Sequence, residues 1–356
     1  MAPVASHDGQ GSPVHTIHNR PARALLAIIA IFAASAAPAI ADPPTDAVEG
    51  ILSATQESIV DEAVPVEVSD GGSKIGDVTN LVTFEEDSSG QVGVEMSGGN
   101  VEVVLPVDHM SLSANSGDDG IVSWQDDSGV IFAPLVSAEG AVQVNTIIPD
   151  NSAPHAFTYE LSLPDDFTVE RVGESYMYLD SKGELIVGLA PAWAVDAGGD
   201  AVPTHFEVHG NIVKQVVEFD EDTAFPVVAD PFLGKNLFKS IGYKHGKYYG
   251  HETDVVTLNL STWGWAVYVG NTSVVGFASG QYVLNDLGWK EALGKGGRVK
   301  ALLLSKSSMR QQYSCHALGA PFAGTWELET FRLNRTRSWT FGVGVHRCNW
   351  TTADRT

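Results

Sequence analysis

From Val64 onward the apolar positions recur at every second residue: Val64, Val66 and Val68, then Val92 and Val94, then Val101, Val103 and Leu105. Between such runs stand clusters of Gly, Asp and Ser, among them Ser69-Asp70-Gly71-Gly72, Asp87-Ser88-Ser89-Gly90, Asp127-Ser128-Gly129 and Asp180-Ser181-Lys182-Gly183. Alternation turns one face of a strand inward. Short alternating runs separated by turn residues every ~10 positions predict an antiparallel all-β sandwich or barrel. The acidic turns lack the alternating ligand order of a calcium loop with its distal Glu, and read as solvated hairpin turns.

After Pro231 the pattern changes. Val255 to Leu260 and Trp263 to Val269 read as two β-like runs broken by Ser261-Thr262. Asn285-Asp286 opens a short helical stretch through Leu287, Trp289, Ala292 and Leu293, ended by Gly294-Lys295-Gly296-Gly297. A second helix is predicted from Arg298 to Gln312. Trp326-Glu327-Leu328-Glu329, Trp339-Thr340-Phe341 and the pair Val343 and Val345 return to β spacing. The expected fold is a mainly β N-terminal region followed by a small α+β C-terminal domain. In residue terms the expectation is 1–41 signal peptide, 42–63 linker and short helix, 64–231 acidic all-β region, and 232–356 basic α+β domain.

Charge sharpens that division. Residues 42–230 carry four basic residues (Lys74, Arg171, Lys182 and Lys214) against 36 acidic ones, a net charge of −32. Residues 231–356 carry fifteen against seven, a net of +8, together with both cysteines and six of the eight tryptophans. Such asymmetry bears on association and solubility rather than on fold. It also suggests that the acidic part masks the basic one until the two separate near Pro226 to Pro231.

At the start of the chain Arg20 and Arg23 precede an apolar run from Ala24 to Pro38, then Ala39-Ile40-Ala41 and Asp42. A cationic region, an apolar segment too short for stable anchoring and a small-residue site are the parts of a secretory signal peptide, with cleavage expected between Ala41 and Asp42. The expected product is secreted, with no transmembrane segment after cleavage. In an oxidising compartment Cys315 and Cys348, the only two cysteines, are expected to bond. The loop of 33 residues they close contributes roughly 3–4 kcal/mol in a chain-entropy model. A zinc site built with His316 and His346 would need adjacent Cys315 and His316 to reach one ion, against the usual ligand spacings. No metal and no cofactor is expected.

Two segments carry resemblances. Pro191 to Asp196, Val202 to Asn211, Gln215-Val216-Val217 and Phe225 to Pro231 together resemble a β-rich segment of many secreted actinobacterial proteins, spanning roughly 152–231 here. There it ends in a Pro-Val-Val-Ala-Asp-Pro hinge and precedes C-terminal domains of several kinds, which implies a delivery or folding module. Gly288-Trp289-Lys290-Glu291, Ser308 to His316, Thr325 to Glu329, Arg332 and Arg347-Cys348-Asn349 are similar to the secreted actinobacterial domain-of-unknown-function family 2599. Glu327 stands where that family usually has Asn, and Asn334-Arg335-Thr336-Arg337 replaces a more acidic stretch. That family has no assigned activity.

For chemistry, the chain has no Gly-x-Ser-x-Gly, no His-Glu-x-x-His and no phosphate-cradling glycine loop. His316, His346, Glu327 and Glu329 are the C-terminal groups able to do acid/base work. A disulfide between Cys315 and Cys348 would draw His316 toward His346, as in a two-histidine nuclease. A secreted antibacterial or toxin-like effector is therefore the alternative function. The preferred expectation is a non-enzymatic extracellular or cell-envelope interaction protein. Its basic domain would bind a cell-wall polymer or an extracellular protein, through a surface that includes His316, Trp326, Glu327, Arg332 and His346. Nucleic acid is not expected as a partner.

Overall fold

The structure is a computed structural model, and it describes residues 66–69, 72–75, 82–86, 92–96, 101–106, 123–137, 139–269, 274–319, 324–335, 348 and 350. The expected signal peptide with its Ala41–Asp42 cleavage point, the expected helix before residue 64, and His346 lie outside the described residues.

Alternation becomes two antiparallel sheets. The first holds β1 (Val66–Ser69), β2 (Gly72–Ile75), β3 (Val82–Glu86), β4 (Val92–Glu95) and β5 (Glu102–Val104). The second begins with β6 (Trp124–Gln125), β7 (Ile131–Val136) and β8 (Val142–Ile148). β9 (Ala156–Ser162) returns to the first sheet beside β5, whereas β10 (Thr168–Val172), β11 (Ser175–Leu179), β12 (Leu185–Leu189) and β13 (Trp193–Val195) extend the second. β14 (Thr204–His209) and β15 (Ile212–Val217) close the first sheet, in the order β1-β2-β3-β4-β5-β9-β15-β14.

Exposure alternates residue by residue along β9. Its inward Phe157, Tyr159 and Leu161, with Val213 and Val217, meet Phe132, Val144, Tyr178, Val187 and Leu189 of the other sheet in one core. The expected sandwich is formed. Among the described residues, the expected acidic turns at 127–129 and 180–183 are built as anticipated. Asp126 Oδ1 accepts the Ser128 and Val130 amides, Asp180 Oδ1 those of Lys182 and Glu184, and Asp196 Oδ1 those of Gly198 and Asp200.

The segment read as a hinge is a pair of strands inside the second sheet. β16 (Val227–Asp230) and β17 (Phe232–Gly234) lie end to end along β8, with the Pro231 carbonyl accepting the Val144 amide at 3.0 Å. β16 pairs with β13 on its other side, and β17 with β12. All seven strand residues are buried. Proline has no N–H for the ladder, so the strand breaks there without leaving the sheet. The expected boundary between 231 and 232 thus falls within a sheet.

Beyond it come a long hairpin, β18 (Phe238–Tyr248) and β19 (His251–Leu260), and then α1 (Thr262–Val269) and α2 (Val274–Val283). A π-helical turn, Leu284–Gly288, runs into α3 (Trp289–Gly294), followed by α4 (Gly297–Leu303), α5 (Ser307–Gly319) and β20 (Trp326–Glu329). β20 pairs with β19, completing a three-stranded antiparallel sheet. This is the expected α+β arrangement, with two local corrections. Trp263 to Val269 is helix, because Ser261 caps it: its hydroxyl accepts the Gly264 amide at 2.9 Å and its carbonyl the Trp265 amide at 2.8 Å. Apolar residues on every side of α1 leave no periodic signal. The single helix expected from Arg298 to Gln312 is divided at Leu304 to Lys306, and its second part runs on to Gly319.

Helices and sheet share a second core that includes Val256, Leu258, Trp263, Tyr268, Met309, Tyr313, Trp326 and Leu328. Met177, Leu179, Ala190 and Phe232 of the sandwich belong to the same core. The Trp263 indole lies over Gly188 and Gly234, where any added Cβ would overlap it. The acidic and basic parts are therefore packed together through apolar contact, a relation that net charge alone does not disclose.

Candidate functional site

The block from Ser308 to His316 forms α5, and its polar side chains fasten that helix to the segment after β20. Ser308 Oγ donates to the Arg332 carbonyl (2.9 Å), and Asn334 Oδ1 accepts the Ser308 amide (2.8 Å). Gln312 Nε2 donates to the Glu329 carbonyl (3.1 Å) while its Oε1 accepts the Glu329 amide (2.8 Å). Gln311 makes the same reciprocal pair with Arg335, at 3.0 and 2.9 Å. Two amide side chains thus stand in for a further strand along this edge, satisfying backbone groups that burial would otherwise make costly.

Under this seam lies Trp326, fully buried, with ring centroids of Phe238 at 5.6 Å, Tyr313 at 5.6 Å and Tyr268 at 6.3 Å. His316 is 7 % exposed and stacks on the same indole at 5.5 Å, next to Cys315, which is bonded to Cys348. Of the residues expected to share a functional surface, Trp326 and His316 are therefore core. A histidine lying flat on a buried tryptophan is poorly placed to exchange protons with a substrate.

Arg332 is also buried, 3 % exposed, and forms an ion pair of 2.6 Å with Glu329, which is 2 % exposed. Its Nη1 donates to the Trp350 carbonyl at 2.8 Å. Burial raises the Glu329 carboxyl above its ordinary value, and Arg332 opposes that rise. Arg332 lies beneath two rings, 4.3 Å from the Phe331 centroid and 5.0 Å from that of Tyr249. Glu327 alone of the described candidates reaches the surface, where it accepts from Lys244 Nζ at 2.5 Å.

A different surface emerges from the hairpin. Lys239, Lys244 and Lys247 of β18 are exposed, Tyr243 is 50 % exposed, and Tyr249 in the turn is 79 % exposed. The two-residue turn Tyr249-Gly250 sets the register, so His245 faces Asp254. His245 Nδ1 is 2.8 Å from Asp254 Oδ1, and Arg298 of α4 pairs with the other oxygen. These two bonds hold the Asp254 carboxyl below its ordinary value. Sequence reasoning missed this trio, although a Tyr-Gly turn at 249–250 is enough to place residues 245 and 254 opposite each other. Arg298 could not have been found that way, because only the packing of α4 brings it near.

Elsewhere, a small cleft at the sandwich edge is lined by Arg171, Glu174, Tyr176, Thr204 and His205. Among the described residues no group of His, Cys, Asp and Glu is arranged to hold a metal ion, and no helix is long and apolar enough to cross a membrane.

No protein-family model matches the chain, and no curated protein matches it. Among solved structures, a glycoside hydrolase family 81 protein from Clostridium thermocellum aligns at 10 % identity with a TM-score of 0.18. The alignment covers 56 % of this chain and 30 % of that one. A likeness at that level carries no argument about fold or activity.

Proposed function

We propose that this chain is a secreted, non-enzymatic cell-envelope interaction protein whose basic end binds an anionic surface polymer through the hairpin Phe238 to Leu260. The observation that carries this reading is the run of exposed lysines on β18, interleaved with exposed tyrosines, on a part of the chain with a net charge of +8. Cations beside aromatic rings suit polymers that present charge and flat surface together. The burial of His316 against Trp326 counts against a two-histidine nuclease, the form of the effector alternative that sequence suggested.

The test is co-sedimentation of the full chain with isolated Gram-positive cell walls, before and after extraction of their anionic polymers. Binding should depend on those polymers and weaken with salt as the screening length falls below about 8 Å. The double variant Lys239→Glu/Lys247→Glu should lose it. Equal binding by parent and variant would remove the hairpin from the reading. Growth inhibition by the parent, without wall binding, would favour the effector instead.

A further inference from the structure

We propose that Tyr249, at the tip of the hairpin, is a sugar-contacting residue that stacks on one ring of an acidic glycan; the inference rests on the wall-polymer reading above. The first observation is conformational. Tyr249 has φ 49° in a two-residue turn closed by Tyr248 and His251. Such turns favour Asn or Gly at this position, and a bulky side chain at positive φ is strained. Strain of this kind persists where the surrounding structure imposes it, and it clusters at ligand-binding sites.

The second observation is exposure. The ring is 79 % exposed, more than any other large apolar side chain described, so folding does not require it as core. The third is support from beneath. Arg332, fixed by its ion pair with Glu329 and its bond to Trp350, lies 5.0 Å from the centre of the tyrosine ring. Phe331 lies 6.4 Å away and is itself stacked on His251 at 4.6 Å. An exposed ring is thus held on a rigid base, which limits the ordering cost of binding.

The chemistry of the surroundings selects the ligand class. The tip of a two-residue turn is convex, offering a ring face rather than a groove, a shape suited to one sugar of a chain. Lys247, exposed two residues before it on β18, supplies charge for an acid group on that chain, while Lys244 is held by Glu327.

The experiment measures the full chain against two probes of like charge: polygalacturonate, which has sugar rings, and poly-glutamate, which has none. Tyr249→Asn places a residue that tolerates positive φ in the turn, so the melting temperature should stay level or rise. Its affinity for polygalacturonate should fall about tenfold while that for poly-glutamate is unchanged. Polygalacturonate binding equal to the parent's overturns the inference. So does equal weakening on both polymers, or a lowered melting temperature, which would make Tyr249 structural. Lys239→Glu/Lys247→Glu separates the two readings: loss on both polymers there, with none in Tyr249→Asn, leaves the hairpin reading standing and the tyrosine inference refuted. Failure of the parent to bind either polymer removes both.

Discussion

The sandwich and the basic end are held in shape by different means. In the sandwich, a period of two fills one core with side chains such as Val144, Val187, Leu189 and Leu161, and the turns at Asp126, Asp180 and Asp196 are each fixed locally by their own aspartate. In the basic end the core is crowded with rings, Trp326 touching Phe238, Tyr268, Tyr313 and His316. There, contacts between distant parts of the sequence are set by side-chain amides and a buried ion pair. Specificity therefore resides in different places in the two. Aliphatic alternation tolerates exchange of one apolar residue for another, whereas a fully engaged polar network admits few substitutes.

The polar network of the basic end is the most sensitive to change. Arg332→Ala would strand the buried Glu329 carboxylate and should cost about 3–5 kcal/mol in urea unfolding followed by tryptophan fluorescence. The double change Glu329→Gln/Arg332→Met should recover part of that loss. A midpoint unmoved by Arg332→Ala would mean that the rings alone organise this end.

Next in size is the crosslink. Cys315→Ser/Cys348→Ser opens a loop of 33 residues and should lower stability by roughly 3–4 kcal/mol. Hydrogen exchange would place the loosening in α5 and β20, with β9 and β15 little changed. Uniform loosening of both regions would mean that the crosslink supports the sandwich as well as the basic end.

The smallest effect lies on the sandwich side. Asp230 is buried, and desolvation lifts its carboxyl from 3.8 to about 7, against bonds from Gln143 and the Trp193 amide. With the folded value above the unfolded one, the native state holds the proton more tightly. Stability from this group is full below 3.8 and declines as pH rises through about 7. Asp230→Asn should flatten that decline between those limits. Glu291 in the basic end, lifted by burial from 4.5 to about 7 while accepting the Leu237 and Phe238 amides, should leave a residual slope of the same sign. A profile identical to the parent's would show that Asp230 is not the source.

Much of the fold was legible in the sequence. Val92, Val94, Val101 and Val103 announce strands by their spacing, and Asp180-Ser181-Lys182-Gly183 announces a turn by its chemistry. The disulfide follows from there being two cysteines and no others. What stayed hidden was long-range or aperiodic. Trp263 to Val269 is apolar on every face, so strand and helix look alike until Ser261 caps it. Of the candidate surface, Glu327 was legible as an exposed strand position. His316 and Trp326 were legible as residues that belong together, but not as a buried stack, because which face of α5 meets β20 is decided in three dimensions. Arg298 went unread for the same reason, whereas the facing of His245 and Asp254 was within reach of the turn at 249–250.

The strand line broken at Pro231 constrains how the two parts of the chain can be joined. A chain made in order presents β8, paired with β7 on one edge, long before the residues that will line its other edge, and the last of these, Phe232-Leu233-Gly234, come from beyond the change of charge. Any exchange of C-terminal segments at that proline, by recombination or in the laboratory, would have to bring a matching three-residue strand and a small residue in the place of Gly234. A graft lacking them would leave the sheet one partner short, with the backbone of β8 and β12 open to whatever strand came by.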